Sequence, residues 1–354
     1  MSNRGRPRTV ATRSLTFTYP GSRPHWTYES WPLPVAPGQV LVQICACTVT
    51  HTVDLSILNT QLLWAKPGEK GFGRDFVGKV VQVGDHHVAD WAAGDEVMGI
   101  FYHPFGAGTL ASHVLLDPST DVMIARPAGL ASLDAASFPS SLTLALQCLG
   151  HARLTADSAV CVFGGMTPVG SLVAQLAKHL FHVRAVIATG DDEAATTATA
   201  ADEIVNYDAE QQQNDEHNVV QELVRAAGDR KFDLVIDTIG VIDQFMPHIT
   251  DLTPAKTGFV VTTIDRDNSH SASSSSSSSW SKSLIGAIRG PRYAFETLKP
   301  NLGMLKLGTD LIVQGKISTK IDHLIGWDDY HQAFEILEKN CNRGQSVVIK
   351  VDEF

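Results

Sequence analysis

The chain has 354 residues, 44% hydrophobic and 19% charged, the balance of a globular protein long enough for two domains of roughly 100–200 residues each. Its net charge of −10 disfavours a protein that binds nucleic acid through the phosphates. No apolar run reaches the roughly 20 residues of a membrane-spanning helix, so no membrane span is expected. Five scattered cysteines do not form a disulfide framework and favour a reducing compartment, the cytoplasm.

The N-terminal segment is rich in arginine, and its first acidic residue is Glu29. This bias is typical of a mitochondrial transit peptide. Residues 13–19 alternate between polar and apolar side chains as a strand does, which leaves only about a dozen residues for such a peptide. We interpret the segment as a flexible basic tail, with mitochondrial targeting as the alternative.

The first third of the chain has the pattern of short strands. Residues 38–53, 78–84 and 94–100 are strand-like and are punctuated by glycine, proline and aspartate. Many short strands separated by such turns indicate a compact β-barrel-like unit over about residues 10–125.

Helices and strands alternate after Pro127. A helix is predicted over residues 133–149. Strands are then predicted at 159–163, 183–189, 203–206, 232–237 and 258–263, and helices at 169–180, 194–201 and 218–227. Such alternation is typical of parallel βαβ units and predicts a doubly wound sheet. The predicted elements after it are a helix at 302–313, an extended segment at 316–325, a helix at 327–339 and a strand at 346–351.

A low-complexity tract lies between the predicted strand at 258–263 and the predicted helix at 302–313. Residues 268–283 include seven consecutive serines and lack the apolar side chains that would offset the entropy cost of ordering. We predict a disordered loop, with a phosphorylated regulatory loop as the alternative.

The most informative segment is residues 159–170, AVCVFGGMTPVG. An apolar strand runs into a tight turn at Gly164, and a helix begins near Pro168, where proline is tolerated. Gly170 lets this helix pack closely on the sheet. Its N-terminus would offer N–H groups and the positive end of a dipole to a pyrophosphate. Polar residues from Thr189 onward end the next strand, where the adenosine ribose of a dinucleotide lies.

In order and spacing the chain resembles the medium-chain dehydrogenase/reductase superfamily, in its zinc-free, quinone-oxidoreductase-like branch, and most of all the fungal members of the Yim and Ast type. The matching stretches are PGQVLVQI, TVTHTVD, GRDFVGKVVQVG, GDEVMGI, GTLASHVLL, AASFPSSLTLALQCL, VFGGMTPVGSLVAQLAK, DEIVNYD, FDLVIDTIG and RGQSVVIKV. The resemblance implies an α/β fold. It consists of a GroES-like β-barrel domain over residues 1–125, a Rossmann domain with a doubly wound parallel sheet over 126–300, and a C-terminal return to the first domain over 301–354.

The resemblance also implies an NADP(H) site. Its expected residues are Thr143, Gly164, Thr167, Pro168, Val169, Gly170, Thr189, Tyr207 and Thr238. The acidic residues 191–193 should repel the 2′-phosphate of NADP(H) and favour NAD(H), whereas Arg184 or Lys178 could fold over that phosphate. Both cofactors therefore stay open.

The chain departs from the pattern of its zinc-dependent relatives. His51 and Arg74 stand where those relatives have a cysteine and a histidine as metal ligands, and an arginine cannot coordinate zinc. No four-cysteine lobe follows, so we expect no metal. We interpret His103 and His113 as hydrogen-bonded or surface histidines.

The phosphate turn has a departure too, because Thr167 replaces a glycine of the family. Its hydroxyl could donate to a phosphate, or its β-branch could obstruct one. On the substrate side, His51, Ser56 and Tyr102 are the candidates to donate to an enolate oxygen, each weighed against a purely structural role. Asp54, Arg74 and Asp75 are expected to form an internal ion-pair network.

These features favour an NAD(P)H-dependent oxidoreductase that reduces quinones, enones or related carbonyls of small molecules by hydride transfer, without zinc. The alternative is a catalytically weak member of the family that acts as a binding or trafficking factor. Relatives pair through sheet edges, so we expect a homodimer, with the edge strand near residues 258–263 or 284–288. The alternative is a monomer, in which the serine-rich loop obstructs the pairing.

Overall fold

The computed structural model describes residues 8–19, 21–50, 53–54, 58, 68–84, 91–103, 106–190, 199–207, 216–264, 290–339 and 345–352. The predicted serine-rich loop, the acidic stretch after Gly190, and the candidate residues His51 and Ser56 lie outside these ranges. No helix within them is both long and apolar enough to cross a bilayer.

The N-terminal part consists of short strands. They are β1 Thr9–Phe17, β2 His25–Pro32, β3 Val40–Thr50, β4 Lys70–Gly71, β5 Asp75–Val83, β6 Glu96–Ile100, β7 His113–Leu116 and β8 Val122–Ala125. Strands β2, β1 and β4 form a small sheet, and β3, β5, β6 and β8 are consecutive neighbours in a larger one, with β7 beside β3. Their apolar side chains enclose a core that includes Phe17, Phe72 and Phe76, each at most 1% exposed. The predicted β-barrel-like unit is confirmed.

The central part alternates helices and strands. Its elements are α1 Ser132–Ser137, α2 Pro139–Leu149, β9 Ala159–Phe163, α3 Pro168–His179, β10 Ala185–Gly190, β11 Glu203–Asn206, α4 Glu216–Ala227, β12 Leu234–Asp237, α5 Ile242–Phe245, α6 Ile249–Leu252, β13 Phe259–Thr262 and β14 Arg292–Phe295. The six strands are all parallel, in the order β11-β10-β9-β12-β13-β14. The strand order reverses between β9 and β12, which is where open α/β sheets bind their ligands.

Helices cover both faces of this sheet. On one face Leu142 of α2 and Val173 of α3 pack over Val160. On the other, Leu223 of α4 and Phe245 of α5 pack over Cys161. The strands are buried on both sides, which explains their continuous apolar sequences and confirms the predicted doubly wound sheet.

The last part of the chain contacts both the parallel-sheet part and the barrel. Its elements are α7 Leu302–Val313, β15 His323–Gly326, α8 Tyr330–Lys339 and β16 Ser346–Lys350. Helix α7 packs on α2, where Gly308 lies so close to Leu142 that an added Cβ would be 2.4 Å from its Cδ2. Strand β16 pairs antiparallel with β3 of the barrel, and β15 pairs with β16. The predicted domain boundaries at residues 125 and 300 stay predictions.

The structure corrects two local expectations. The single helix predicted over 133–149 is interrupted after Ser137, because Pro139 lacks an N–H and begins a new helix instead of continuing the first. The strand at 259–262 is not the edge of its sheet, because β14 pairs along its outer side. Among the described residues, β14 is therefore the edge strand at this end of the sheet, and β11 is the edge strand at the other end.

The N-terminal hairpin is fastened to the C-terminal part by one arginine. The guanidinium of Arg13 lies 3.8 Å from the ring centroid of Trp26 and 4.5 Å from that of Trp327. It also donates to Asp328 at 2.8 Å. Arg13 therefore belongs to the folded hairpin and not to a basic tail, as the alternation of residues 13–19 predicts.

The barrel and the parallel-sheet domain are joined by a buried carboxyl group. The backbone N of Ser140, in the first turn of α2, lies 3.0 Å from both carboxyl oxygens of Asp75, and the Ser140 hydroxyl also donates to Oδ1. A negative group is favourable at a helix N-terminus. Burial nevertheless raises the pKa of Asp75 to about 7, against the effect of the Ser140 hydrogen bonds. Close by, the Thr48 hydroxyl donates to the carbonyl of Ala136 at 2.6 Å.

This junction predicts a pH dependence of stability. The pKa of Asp75 is raised to about 7 from 3.8, so between about pH 4 and 7 the folded state retains a proton that the unfolded state has released. Stability is therefore lost as the pH rises through this window. Asp75→Asn should flatten that dependence in a series of melting temperatures from pH 4 to 8. Asp310→Asn, at an exposed carboxylate of α7, controls for the loss of one acidic group, and equal slopes in all three proteins would contradict the assignment.

Candidate functional site

The carboxyl ends of β9, β10 and β12 bring three predicted residues together. Gly164 follows β9, Thr189 is the second-to-last residue of β10, and Thr238 follows β12. Parallel strands all present their carboxyl ends at one edge, so residues 25 and 74 positions apart become neighbours there. This edge lies at the reversal of strand order, and it is the candidate site.

The turn after β9 admits only glycine at its first position. Gly164 has a φ of +84°, in the left-handed region that favours glycine. Its N–H donates to the Thr189 hydroxyl at 3.1 Å, and the N–H of Gly165 donates to the Thr189 carbonyl at 2.9 Å. A Cβ on Gly165 would lie 2.6 Å from the Cβ of Ala188. The turn is thus held tightly against β10.

The side chain of Thr167 points inward, toward Gly164 and Thr238. It caps α3, because its hydroxyl oxygen accepts the N–H of Gly170 at 2.9 Å. The same oxygen lies 3.0 Å from the Gly164 carbonyl oxygen and 2.9 Å from the Thr238 hydroxyl, which in turn lies 2.9 Å from the Phe163 carbonyl. Thr167 is only 3% exposed. Its hydroxyl is therefore engaged inside the protein and does not face outward.

The remaining donors of the turn are few. Pro168 has no N–H, and that of Gly170 is taken by Thr167. Within the described part of the chain, the N–H groups of Met166 and Val169 have no hydrogen-bond partner. Gly170 itself has no room for a side chain, since a Cβ there would lie 2.1 Å from the Gly164 carbonyl oxygen.

Two predicted cofactor residues are engaged elsewhere. The Thr143 hydroxyl is fully buried and donates to the Pro139 carbonyl one turn earlier in α2, at 2.8 Å. The Tyr207 hydroxyl donates to Gln244 at 2.9 Å, and its ring packs edge-on against Phe245. Neither side chain contacts the Gly164 turn through these bonds, and their roles in binding stay predictions.

The expectation that Lys178 or Arg184 could fold over the 2′-phosphate is wrong. Lys178 lies at the end of α3 and Arg184 immediately before β10, hence at the amino edge of the sheet. Lys178 pairs with Asp202 at 2.6 Å and donates to the Arg184 carbonyl at 3.2 Å. Neither can fold over a phosphate at the carboxyl edge, because the parallel strands separate the two edges.

On the barrel side, three charged residues of the sequence analysis are buried. Arg74 donates to the carbonyls of Gly73 at 2.7 Å and Gly71 at 3.1 Å, while its Nε has no partner among the described residues. Asp54 accepts the N–H groups of Thr50 at 2.8 Å and Gly73 at 2.6 Å.

The charges of Arg74 and Asp54 oppose the cost of burying them. Burial raises the pKa of Asp54 and lowers that of Arg74, and each charge partly offsets the effect on the other. The hydrogen bonds of both go to backbone groups, whereas Asp75 is directed to Ser140. The expected network of direct ion pairs is thus replaced by charges that interact at longer range. Tyr102 is half-buried beside them, interacts electrostatically with Arg74, and packs against the core cluster that joins barrel and sheet.

The two histidines considered as metal ligands both have protein partners. Nε2 of His103 lies 2.7 Å from the buried carboxylate of Asp121, and Nδ1 of His113 lies 3.1 Å from the Ser112 hydroxyl. Across the ranges given above, no group of three or more histidine, cysteine, aspartate or glutamate side chains is placed to hold a metal.

Asp237 was not predicted from the sequence, and it shapes the loop that carries Thr238. Its buried carboxylate accepts the N–H groups of Ile239 at 3.1 Å, Gly240 at 2.8 Å and Ile242 at 2.9 Å. Burial still raises its pKa, and these hydrogen bonds oppose that effect. An aspartate that ends a buried strand just before a Thr-Ile-Gly turn is the sequence signal that could have revealed it.

Comparison with known proteins extends these observations. The family model for the alcohol dehydrogenase GroES-like domain matches residues 36–125, and the zinc-binding dehydrogenase model matches residues 199–348. Protein YIM1-2 of Lachancea thermotolerans is 30% identical, covering 97% of this chain and 99% of the relative. Protein AST2 of Saccharomyces cerevisiae is 26% identical, covering 98% and 90%.

Among solved structures, the quinone oxidoreductase from Coxiella burnetii matches with a TM-score of 0.77 at 25% identity, covering 97% of this chain and all of that one. Because the similarity in sequence and in fold extends over nearly the whole length of both proteins, it indicates membership of one family. The chain belongs to the medium-chain dehydrogenase/reductase superfamily, as a member of the Yim and Ast type built on a GroES-like domain and a Rossmann domain.

Proposed function

We propose that the protein is an NAD(P)H-dependent oxidoreductase that reduces quinones, enones or related small-molecule carbonyls without zinc. The observation that carries this proposal is the glycine turn between β9 and α3, at the reversal of strand order. A Cβ on Gly165 or Gly170 would lie 2.6 Å or less from a neighbouring atom, so the turn keeps bare backbone where a diphosphate approaches. The likeness to a quinone oxidoreductase supports the substrate class.

The donors of the turn fit a dinucleotide. Val169 N–H lies in the first turn of α3, at the positive end of its dipole, and Met166 N–H lies in the turn before it. Thr189 and Thr238, at the ends of the two strands beside β9, hold the glycine turn in place by hydrogen bonds to Gly164. When bound, a reduced nicotinamide supplies the hydride. NADP(H) is the cofactor that the family resemblance favours. NAD(H) is the alternative, and the position of Lys178 and Arg184 at the amino edge of the sheet removes their support for NADP(H).

The barrel side would stabilise negative charge that develops on a carbonyl oxygen. Tyr102 has a hydroxyl that can donate to that oxygen, and the buried positive charge of Arg74 acts on the same region. His51 and Ser56 stay proposed donors. The junction of barrel and sheet at Asp75 and Ser140 would keep these groups in register with the Gly164 turn.

A second candidate function is a catalytically weak family member that serves as a binding or trafficking factor. One specific observation favours it, which is the engagement of Thr167 and Gly170 with each other instead of with an outward-facing ligand. The names of the Yim and Ast relatives state no activity. Cofactor titration separates this candidate from the first.

We also propose a cytoplasmic location, with mitochondria as the alternative, and a homodimer. The location is supported by Cys45, Cys47, Cys148 and Cys161, which are buried free thiols. The dimer would pair the exposed edge strands β14 of two copies. Light scattering that gives the 38.2 kDa of one chain would refute it.

Titration with NADPH and NADH, followed by nicotinamide fluorescence, tests the proposed function directly. Binding of either cofactor is expected, followed by oxidation of that cofactor when a quinone or an enone is added. If neither NADPH nor NADH binds at millimolar concentration, the oxidoreductase proposal is refuted and the binding or trafficking factor remains.

Gly170→Ala should abolish the rise in melting temperature that the cofactor produces. The new Cβ would lie 2.1 Å from the Gly164 carbonyl oxygen, so the turn must open. Gly129→Ala is the matched control, because a Cβ there meets nothing within 4 Å. An equal cofactor-dependent rise in both variants would show that the phosphate site lies elsewhere.

The purified protein should contain no stoichiometric zinc. Arg74 places a buried positive charge where zinc-dependent relatives have a metal ligand, and a cation there repels another. Metal analysis by mass spectrometry checks this expectation, and about one zinc per chain would contradict it.

A further inference from the structure

We propose that Thr167 and Pro168 limit the affinity of the Gly164 turn for a diphosphate, because each withholds one N–H donor that the turn would otherwise present. The inference rests on the proposed function, since the ligand is the diphosphate of a nicotinamide dinucleotide. It concerns how tightly that ligand is held and which residues decide it.

Thr167 withholds the N–H of Gly170. The Thr167 hydroxyl oxygen accepts this N–H at 2.9 Å, within the first turn of α3. The first N–H groups of a helix have no intrahelical partner, so a side-chain cap and a bound anion compete for the same donors. In this protein the Thr167 side chain already accepts the N–H of Gly170, so this donor is not available to a ligand.

The cap is held in place from the other side. Thr167 Oγ1 lies 3.0 Å from the Gly164 carbonyl oxygen and 2.9 Å from the Thr238 hydroxyl. Both threonines are nearly fully buried, at 3% and 4% exposure. A rotation of Thr167 that released Gly170 would break the contacts of its buried hydroxyl with the Gly164 carbonyl and the Thr238 hydroxyl, which is unfavourable. The cap therefore persists when a diphosphate binds.

Pro168 removes a second donor outright. It is the first residue of α3, where an ordinary residue would present an N–H to an anion at the helix N-terminus. Proline fits the backbone of this position without strain. The turn is therefore stable as a helix start yet presents to a diphosphate only the N–H groups of Val169 and Met166.

A hydrogen bond to a charged group changes an equilibrium constant by about tenfold or more. Thr167→Gly frees the N–H of Gly170 while keeping a residue that is accepted as an N-cap. Pro168→Ala adds the missing N–H and leaves the cap intact. Each substitution is expected to tighten binding of NADPH or NADH by about tenfold. Thr167→Ser is the matched control, because it keeps the hydroxyl and removes only the methyl group.

The experiment measures the Kd of NADPH and NADH for the unmodified protein and the three variants by calorimetry, with melting temperatures to establish that each variant is folded. Tighter binding by Thr167→Gly and Pro168→Ala, with Thr167→Ser unchanged, supports the inference. Unchanged or weaker binding by both, in proteins that bind and fold, overturns it and leaves the proposed function standing.

Tighter binding by Thr167→Ser as well as by Thr167→Gly would assign the effect to the methyl group as a steric obstruction and would overturn the role of the cap. Binding by none of the four proteins would refute the proposed function and the inference with it.

Discussion

The contact between the start of α3 and the end of β9 is the constraint on which the candidate site depends. Gly170 touches the carbonyl of Gly164 so closely that no side chain fits between them. This contact sets the height of α3 above the sheet and the direction of its N-terminus. Thr189 holds the same turn from β10, and Thr238 holds it from β12. Three strands thus converge on one glycine turn, and small changes there would be felt throughout the site.

Polar atoms in this turn stabilise the start of α3, and under the proposed function they would also bind the cofactor. A helix N-terminus leaves N–H groups that must be satisfied by a cap, by water or by a ligand. Here Thr167 satisfies the N–H of Gly170 and Pro168 lacks an N–H, and two buried hydroxyl groups reinforce the arrangement. Under the proposed function, the groups that stabilise the helix start also reduce the number of donors left for a ligand.

The barrel contributes a set of buried charges at the junction of the two domains. Arg74 and Asp54 are buried without a direct ion pair and are satisfied mainly by backbone groups of the surrounding loops. Asp75, the next residue in the chain, accepts the N–H of Ser140 in the first turn of α2. Buried charges are costly unless they are hydrogen-bonded, so this stretch fixes the loops around it in one arrangement. It ties the proposed substrate side to the sheet that carries the glycine turn.

The sequence by itself determined the local elements, because strand and helix periods and the glycine turn are properties of neighbouring residues. The segment AVCVFGGMTPVG predicted the strand, the turn and the helix start, and the alternation after Pro127 predicted a parallel sheet. Only the tertiary structure decided which residues meet. The direction of the parallel strands placed Lys178 and Arg184 at the wrong edge for a phosphate, and β14 covered the strand expected at the edge. The partner of Asp75 and the inward rotation of Thr167 likewise depend on residues 65 and 71 positions away, which no local pattern can specify.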